Sequence, residues 1–273
     1  MSPSHQRVAI ITGVSSGIGL ACAAHLAQQG IRIYGLSRRA PEPPIPNCTF
    51  IQTDVTDNAS VIEAIQTVLL NEGCIDILIN NAGFGIAGSI EDTSAEDAGN
   101  QLDVNLLGAL RLTTAVLPTM RRQRSGYILN MGSIGGLIAV PFQGIYSASK
   151  FALEGLTESL RLEVRSFGVR VVLIEPGDHR TAFTETRSFT AASAANPAYR
   201  TNLDRAVNRM AADEQGGPAP DRIARLVLRV INTRNPRLRY TVGPAFQRAA
   251  IWLKRLSPYA LIETILRVYY GLE

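Results

Sequence analysis

Tyr146 and Lys150 stand four residues apart in the run Ile145-Tyr146-Ser147-Ala148-Ser149-Lys150, with Ser133 upstream and a glycine-rich turn at Thr12 to Gly19. On a helix, residues at this spacing share a face, so a lysine ammonium can lie beside a phenol. A fixed cation favours the phenolate, and moving a tyrosine from its ordinary pKa of ~10 to ~7 requires ~4 kcal/mol of differential stabilisation. The pair therefore predicts a tyrosine made acidic by its neighbouring lysine, able to give and take a proton near neutral pH.

Such a pair needs a rigid frame, and the surrounding sequence alternates accordingly. Buried strands are expected over 7–11, 31–36, 49–52, 75–80, 126–131 and 170–175, with helices over 17–29, 59–72, 95–117 and 146–166. This is a βαβ rhythm, and strands so apolar must be covered on both faces. The fold class expected is α/β, a doubly wound, mostly parallel sheet (Rossmann fold) in a single domain over 1–273. Pro41 to Pro46 reads as a stiff surface connection, because the sheet pattern continues beyond it. After Gly177 the alternation stops; 178–220 has few apolar residues and reads as a substrate lid or a disordered segment. Asp221 is expected to cap a helix over 222–232, followed by a strand over 239–242 and a C-terminal helical extension over 244–273.

Composition narrows the class. The chain has 273 residues, 46% of them hydrophobic, enough to bury one large core. The first strand begins so close to the start that no cleavable leader is expected, and no apolar run approaches the ~20 residues of a membrane span. Cys22, Cys48 and Cys74 are odd in number and lack a C-x-x-C pattern, which argues against a disulfide framework and for a reducing, cytoplasmic setting. His5, His25 and His179 are too scattered for a metal centre, and none is expected. The net charge of +4 is spread along the chain without a nucleic-acid motif, so no nucleic-acid partner is expected. Arg121 and Arg122 read as a solvated helix end.

The turn Thr12-Gly13-Val14-Ser15-Ser16-Gly17-Ile18-Gly19 follows a buried strand and opens a helix. There, backbone N–H groups and a helix N-terminus attract a pyrophosphate, and glycines let the main chain approach it. A fold of this kind that uses NAD commonly places a carboxylate after the second strand, against the ribose 2′-hydroxyl. Here Ser37, Arg38 and Arg39 stand in that place, so Arg38, supported by Ser37 and Arg39, is expected to bind a 2′-phosphate, making the cofactor NADP(H). Asp54, through its side chain, and Val55, through its backbone, are candidates for the adenine; Asp54 is equally well a turn residue. Asn80-Asn81-Ala82-Gly83 ends the fourth strand, at the crevice, where small residues admit a ribose and nicotinamide.

Together these segments resemble a classical short-chain dehydrogenase/reductase over residues 7–181. The likeness rests on T-G-x-x-x-G-I-G at Thr12 to Gly19, N-N-A-G at Asn80 to Gly83, Asn105 in Asp103-Val104-Asn105, Ser133, Y-x-x-x-K at Tyr146 and Lys150, and P-G-x-x-x-T at Pro176 to Thr181. The resemblance implies that Tyr146 is the general acid in carbonyl reduction and the general base in alcohol oxidation. It implies that Lys150 lowers the tyrosine's pKa and bonds the nicotinamide ribose, that Ser133 donates to the substrate oxygen, and that Asn105 holds a water linking Lys150 to solvent. Pro176 and Gly177 would line the nicotinamide and Thr181 bond its carboxamide. It also implies a homodimer or homotetramer, with 105–117 and 146–166 as subunit faces.

The mostly apolar loop between Ser133 and Tyr146, with Phe84 nearby, favours flat or lipid-like carbonyls. Residues 177–183 and Arg239-Tyr240 are similar to the 17β-hydroxysteroid and retinol dehydrogenase branch of the family. Hydroxysteroids, retinoids, long-chain ketones and 3-oxoacyl groups stay open as substrates. Three uses are open to the extension: covering the cleft, pairing with another subunit, or peripheral contact with an anionic membrane. Pro258 divides it into two short amphipathic pieces. The alternative to an enzyme is a non-catalytic, dinucleotide-sensing regulator on the same fold.

Overall fold

Runs such as Val8–Thr12, buried at every position, cannot face water on either side and so become inner strands of a parallel sheet. The computed structural model describes residues 6–272; His5 lies outside them. In chain order the elements are β1 (Val8–Thr12), α1 (Gly17–Gln28), β2 (Arg32–Ser37), β3 (Cys48–Gln52), α2 (Asn58–Glu72), β4 (Ile77–Asn80), β5 (Ile86–Ala87), α3 (Ala95–Leu102), α4 (Gly108–Gln123), β6 (Gly126–Met131), α5 (Gly144–Val164), β7 (Val169–Pro176), α6 (Phe183–Thr186), β8 (Ser188–Phe189), α7 (Ala191–Ala195), α8 (Pro197–Gln215), α9 (Asp221–Ile231), β9 (Arg239–Val242), α10 (Ala245–Leu256) and α11 (Tyr259–Tyr270).

Seven strands form one sheet in the order β3-β2-β1-β4-β6-β7-β9, every neighbouring pair parallel. Strand order reverses direction between β1 and β4, so the ligand crevice of this doubly wound sheet opens at their carboxyl ends. Alternate side chains point to opposite faces. Ala9 and Ile11 therefore join α1 and α9 in one core, while Val8 and Ile10 join α2, α4 and α5 in the other.

Several boundaries differ from the sequence expectation for local reasons. The helix expected over 95–117 is broken by a π-helical turn, Asp103–Leu107, and α4 then runs on to Gln123 through Pro118. The strand expected from Ile75 begins at Ile77, because the Gln123 side chain takes both backbone groups of Ile75, at 3.0 and 2.9 Å. Pro220, not Asp221, is the N-cap of α9; Asp221 sits in the first turn, where its charge complements the helix dipole. The segment 178–220 is neither disordered nor irregular. It holds α6, β8, α7 and the 19-residue α8, which buries Leu203, Ala206 and Met210.

β9 closes the sheet beside the crevice through one cation. Arg239 Nε lies 2.7 Å from Glu154 and 3.3 Å from Glu175, and its guanidinium also pairs with Glu158. Glu175 is fully buried, and burial together with the neighbouring Glu154 pushes its carboxyl well above the usual range. A carboxyl raised in the folded state resists ionisation, so the stability it contributes is present at low pH and drains as pH rises. Removing its cation steepens that loss. Arg239→Met is expected to destabilise the protein by about 3 kcal/mol, with a larger deficit at pH 8 than at pH 5 in urea denaturation.

Candidate active site

The carboxyl ends of β1 and β4 are joined by side chains. Thr12 Oγ1 accepts from the N–H groups of Asn81 and Ala82, each at 2.9 Å, and Asn81 Nδ2 donates to the carbonyls of Thr12 at 2.9 Å and Gly13 at 3.3 Å. Gly13 and Gly17 take positive φ, 71° and 59°, which disfavours any side chain there. Gly19 has no space for one: a Cβ would lie 2.2 Å from the Gly13 carbonyl oxygen. Ser16, the N-cap of α1, makes no capping hydrogen bond, so the first-turn N–H groups face the crevice without a side-chain partner. Ser15, Ser16, Gly17 and Ile18 line the crevice on one side, and Ala82 and Gly83 on the other. These residues fit a dinucleotide's pyrophosphate and ribose. Asn81 lines the crevice too, but its amide is spent on the β1 turn.

At the end of β2, Arg38 borders a shallow depression with Gln52, Asp54 and Ser60, and Arg38 and Arg39 are both exposed. Ser37 differs from its expected part, since its hydroxyl donates to the Arg39 carbonyl at 2.7 Å and so shapes the turn. Asp54 does act as a turn residue: Oδ1 accepts from the Thr56 N–H at 2.9 Å and the Thr56 hydroxyl at 2.7 Å. The Thr56 N–H, against some desolvation, holds its carboxyl below the usual range. The Val55 carbonyl is occupied by Arg111 at 3.2 Å.

Tyr146, Lys150 and Ser133 meet on the nicotinamide side of the same crevice. The first two share a face of α5, and Ser133 follows β6. Burial pushes the Tyr146 phenol up to about 12, against a downward pull from its hydrogen bond with Ser133; Glu214 adds to the rise. Lys150, also buried, is pushed down to about 8. Its ammonium donates to the Met131 carbonyl at 2.8 Å and lies 5.8 Å from the Tyr146 ring centroid. The expected acidification of the tyrosine by the lysine is therefore not what this geometry gives. Desolvation is the largest cause of the rise, and Lys150 is not among the charges that shift the phenol.

Asn105 lies in the π-helical turn, where its Oδ1 accepts from the Phe84 N–H and its Nδ2 donates to the Phe84 carbonyl, both at 3.0 Å, and to Ser149 Oγ at 3.1 Å. That side-chain amide holds the loop after β4 in place. Pro176, Gly177 and Thr181 border the crevice, and Thr181 crosses close to Gly17.

The crevice opens into a cleft of about 900 Å³. α10 and α11 cover it, which is the first of the uses open to the extension. Gln247 bonds Asp178 from both ends of its amide, Lys254 donates to the Leu137 carbonyl, and the Tyr269 hydroxyl donates to Asp213 at 2.6 Å. Gln143 belongs to the loop before Tyr146 and Asp178 and Phe183 to the 177–183 stretch singled out in the sequence, whereas sequence reading missed Met210, Asp213 and Glu214; all six line this cleft. Phe183 packs against Tyr146 with ring centroids 5.6 Å apart.

Crowding at Gly19 has a direct consequence. Gly19→Ala is expected to weaken dinucleotide binding at least about tenfold, which costs ~1.4 kcal/mol, because the added methyl must push the Gly13 carbonyl out of the cradle. Titration of reduced-dinucleotide fluorescence measures it.

The chain has clear relatives. A family profile described as short chain dehydrogenase matches residues 7–191. A 3-ketodihydrosphingosine reductase of Bacteroides thetaiotaomicron is 37% identical over 98% of this chain and 99% of its own length. The human 17-beta-hydroxysteroid dehydrogenase type 1 is 36% identical over 88% of this chain and 78% of its own. Among solved structures, a short chain dehydrogenase/reductase from Burkholderia phymatum in complex with NAD superposes with a TM-score of 0.76 at 27% identity, covering 93% of this chain and 95% of that one. With the glycine cradle at the β1/β4 crevice and Tyr146, Lys150 and Ser133 beside it, the chain belongs to the short-chain dehydrogenase/reductase family of nicotinamide-dependent oxidoreductases.

Proposed function

We propose that the protein is an NADP(H)-dependent reductase of an apolar, lipid-like ketone, with Tyr146 as its general acid. The observation that carries this reading is the placement of Tyr146, Lys150 and Ser133 where the dinucleotide crevice meets a large cleft walled mainly by apolar side chains. A protonated phenol is the form needed to reduce a carbonyl; oxidation needs the phenolate. A bound nicotinamide supplies the hydride. Tyr146 then gives its proton to the carbonyl oxygen as charge grows there, and Ser133, hydrogen-bonded to Tyr146, helps to hold that oxygen. Lys150, near 8, is mostly an ammonium at neutral pH and keeps positive charge behind the phenol as the proton leaves. The apolar walls, including Ile138, Val140, Met210 and Leu253, suit a hydrocarbon body, and the sphingoid-ketone and steroid names of the two relatives point the same way.

Preference for the phosphorylated cofactor rests on Arg38. Its exposed guanidinium at the end of β2 offers a permanent charge and a planar set of donors where a 2′-phosphate would arrive. A homo-oligomer is also part of this reading: Leu110 and Leu162 leave apolar surface exposed on α4 and α5, the helices that form subunit faces in the family.

Tyr146→Phe is expected to bind NADPH as the wild type does while reduction of a long-chain ketone falls by about 10²–10⁴-fold. Retained turnover would remove Tyr146 as the acid, and wild-type binding without turnover across a carbonyl panel would favour the sensor. Arg38→Asp is expected to raise the KM for NADPH about tenfold or more, a loss of at least ~1.4 kcal/mol, and to leave NADH kinetics unchanged. Steady-state kinetics with both cofactors decides it.

A further inference from the structure

We propose that the outer face of α10 and α11 docks on an anionic lipid bilayer, so that the mouth of the cleft opens against the membrane. The inference rests on the lipid-like ketone reading above and adds where that substrate comes from.

Half of the exposed large hydrophobic side chains among the described residues fall between Phe246 and Val268. Trp252, Leu256, Tyr259 and Val268 are 64%, 82%, 69% and 77% exposed. Leu261, Ile265 and Val268 repeat at i, i+4 and i+7, and so form one stripe on α11. Such a concentration on an otherwise polar surface marks an interaction site. Trp252, Leu256 and Ile265 also line the cleft, so apolar surface runs unbroken from the pocket to the outside. A hydrocarbon chain entering here need not cross water.

Charge selects the occupant. Over 245–270 the extension carries Arg248, Arg255 and Arg267 against one carboxylate, Glu263, while Lys254 turns inward to the Leu137 carbonyl. Arg255 lies over the Trp252 ring, 5.6 Å from its centroid. Cations around an apolar centre with an aromatic at the boundary are what an interfacial helix presents to acidic headgroups. A second copy of the chain fits less well, because a two-fold contact at this face would bring each cation against its own kind. Among the described residues no helix is long and apolar enough to cross a membrane, so the contact proposed is superficial.

Trp252 is the chain's one tryptophan and reports on the face directly. The full-length protein, titrated with vesicles of equal phosphatidylcholine and phosphatidylglycerol, is expected to show blue-shifted emission and quenching by brominated acyl chains. Binding should weaken at least tenfold in 0.5 M salt or on vesicles of phosphatidylcholine alone. The double variant Leu261→Glu/Val268→Glu is expected to stay in the supernatant on vesicle sedimentation, yet reduce a short, water-soluble ketone at the wild-type rate. Unchanged emission with wild-type protein left in the supernatant overturns the proposal, and so does a blue shift that follows protein concentration without vesicles, which indicates a second copy. Failure of the wild type to reduce any ketone would strike the functional reading instead, whatever the vesicles show.

Discussion

Everything chemical in this protein depends on two strand ends being held together where their hydrogen-bond ladder has run out. Past Thr12 and Asn80 the ladder between β1 and β4 has ended, the Gly13 N–H turning to the Leu36 carbonyl of β2 at 2.7 Å, and buried groups left unpaired are costly. Thr12 and Asn81 satisfy them side chain to backbone, four contacts in all, none longer than 3.3 Å. The tie draws the β4 end over the glycine turn so closely that Gly13 and Gly19 admit no side chain. Cradle and crevice are thus one construction. A second polar chain deeper in the sheet, Asn80 to Asn130 at 2.8 Å and Asn130 to Thr157 at 2.8 Å, fixes β4, β6 and α5 together and so sets the height of Tyr146 against the crevice.

Burial, more than any ion pair, then sets the protonation of the site. Tyr146 is pushed up, Lys150 down, Asp178 up to about 6 and His179 down, each with desolvation as the largest cause. Every one of these shifts favours the neutral form, as a poorly hydrated cleft demands. The lysine could overcome this at the phenol only by pointing at its oxygen, and instead it is committed to the Met131 carbonyl. What results is a site whose titratable groups are biased towards their uncharged forms.

The sheet and its order of elements were legible because buried parallel strands read as short apolar runs and the glycine turn has only one structural use. That Tyr146, Lys150 and Ser133 meet at one crevice was legible for a different reason: they stand in short motifs whose spacing helix α5 and the end of β6 enforce. Side-chain roles were less so. Asn105 and Asn81 also hold loops through their side chains, which only the π-helical turn and the crossing of β1 with β4 reveal. α8 was missed because its three buried residues are diluted by Arg, Asn and Asp on the exposed faces, although Asn196 followed by Pro197 is a sound helix start. The acidic wall was invisible, since Asp178 and the Asp213-Glu214 pair meet only when α8 folds back over the crevice.

The family profile ends at residue 191, just past the last motif, while the cleft is completed by α8, α10 and α11. The cleft is therefore walled by both parts of the chain, with Ile138, Val140, Gln143 and Phe183 from within the matched region. The first part positions a proton donor and a cradle by short, rigid contacts within and beside the sheet. The second part is held over it by a few side-chain contacts, among them Gln247 with Asp178 and Tyr269 with Asp213, with much apolar surface left outside. A cover fastened at points can part from the cleft at less cost than a cover buried along its length, because fewer packed contacts must be broken. Frame and cover are thus held by different means, the one by the sheet and its polar ties, the other by a few side-chain contacts.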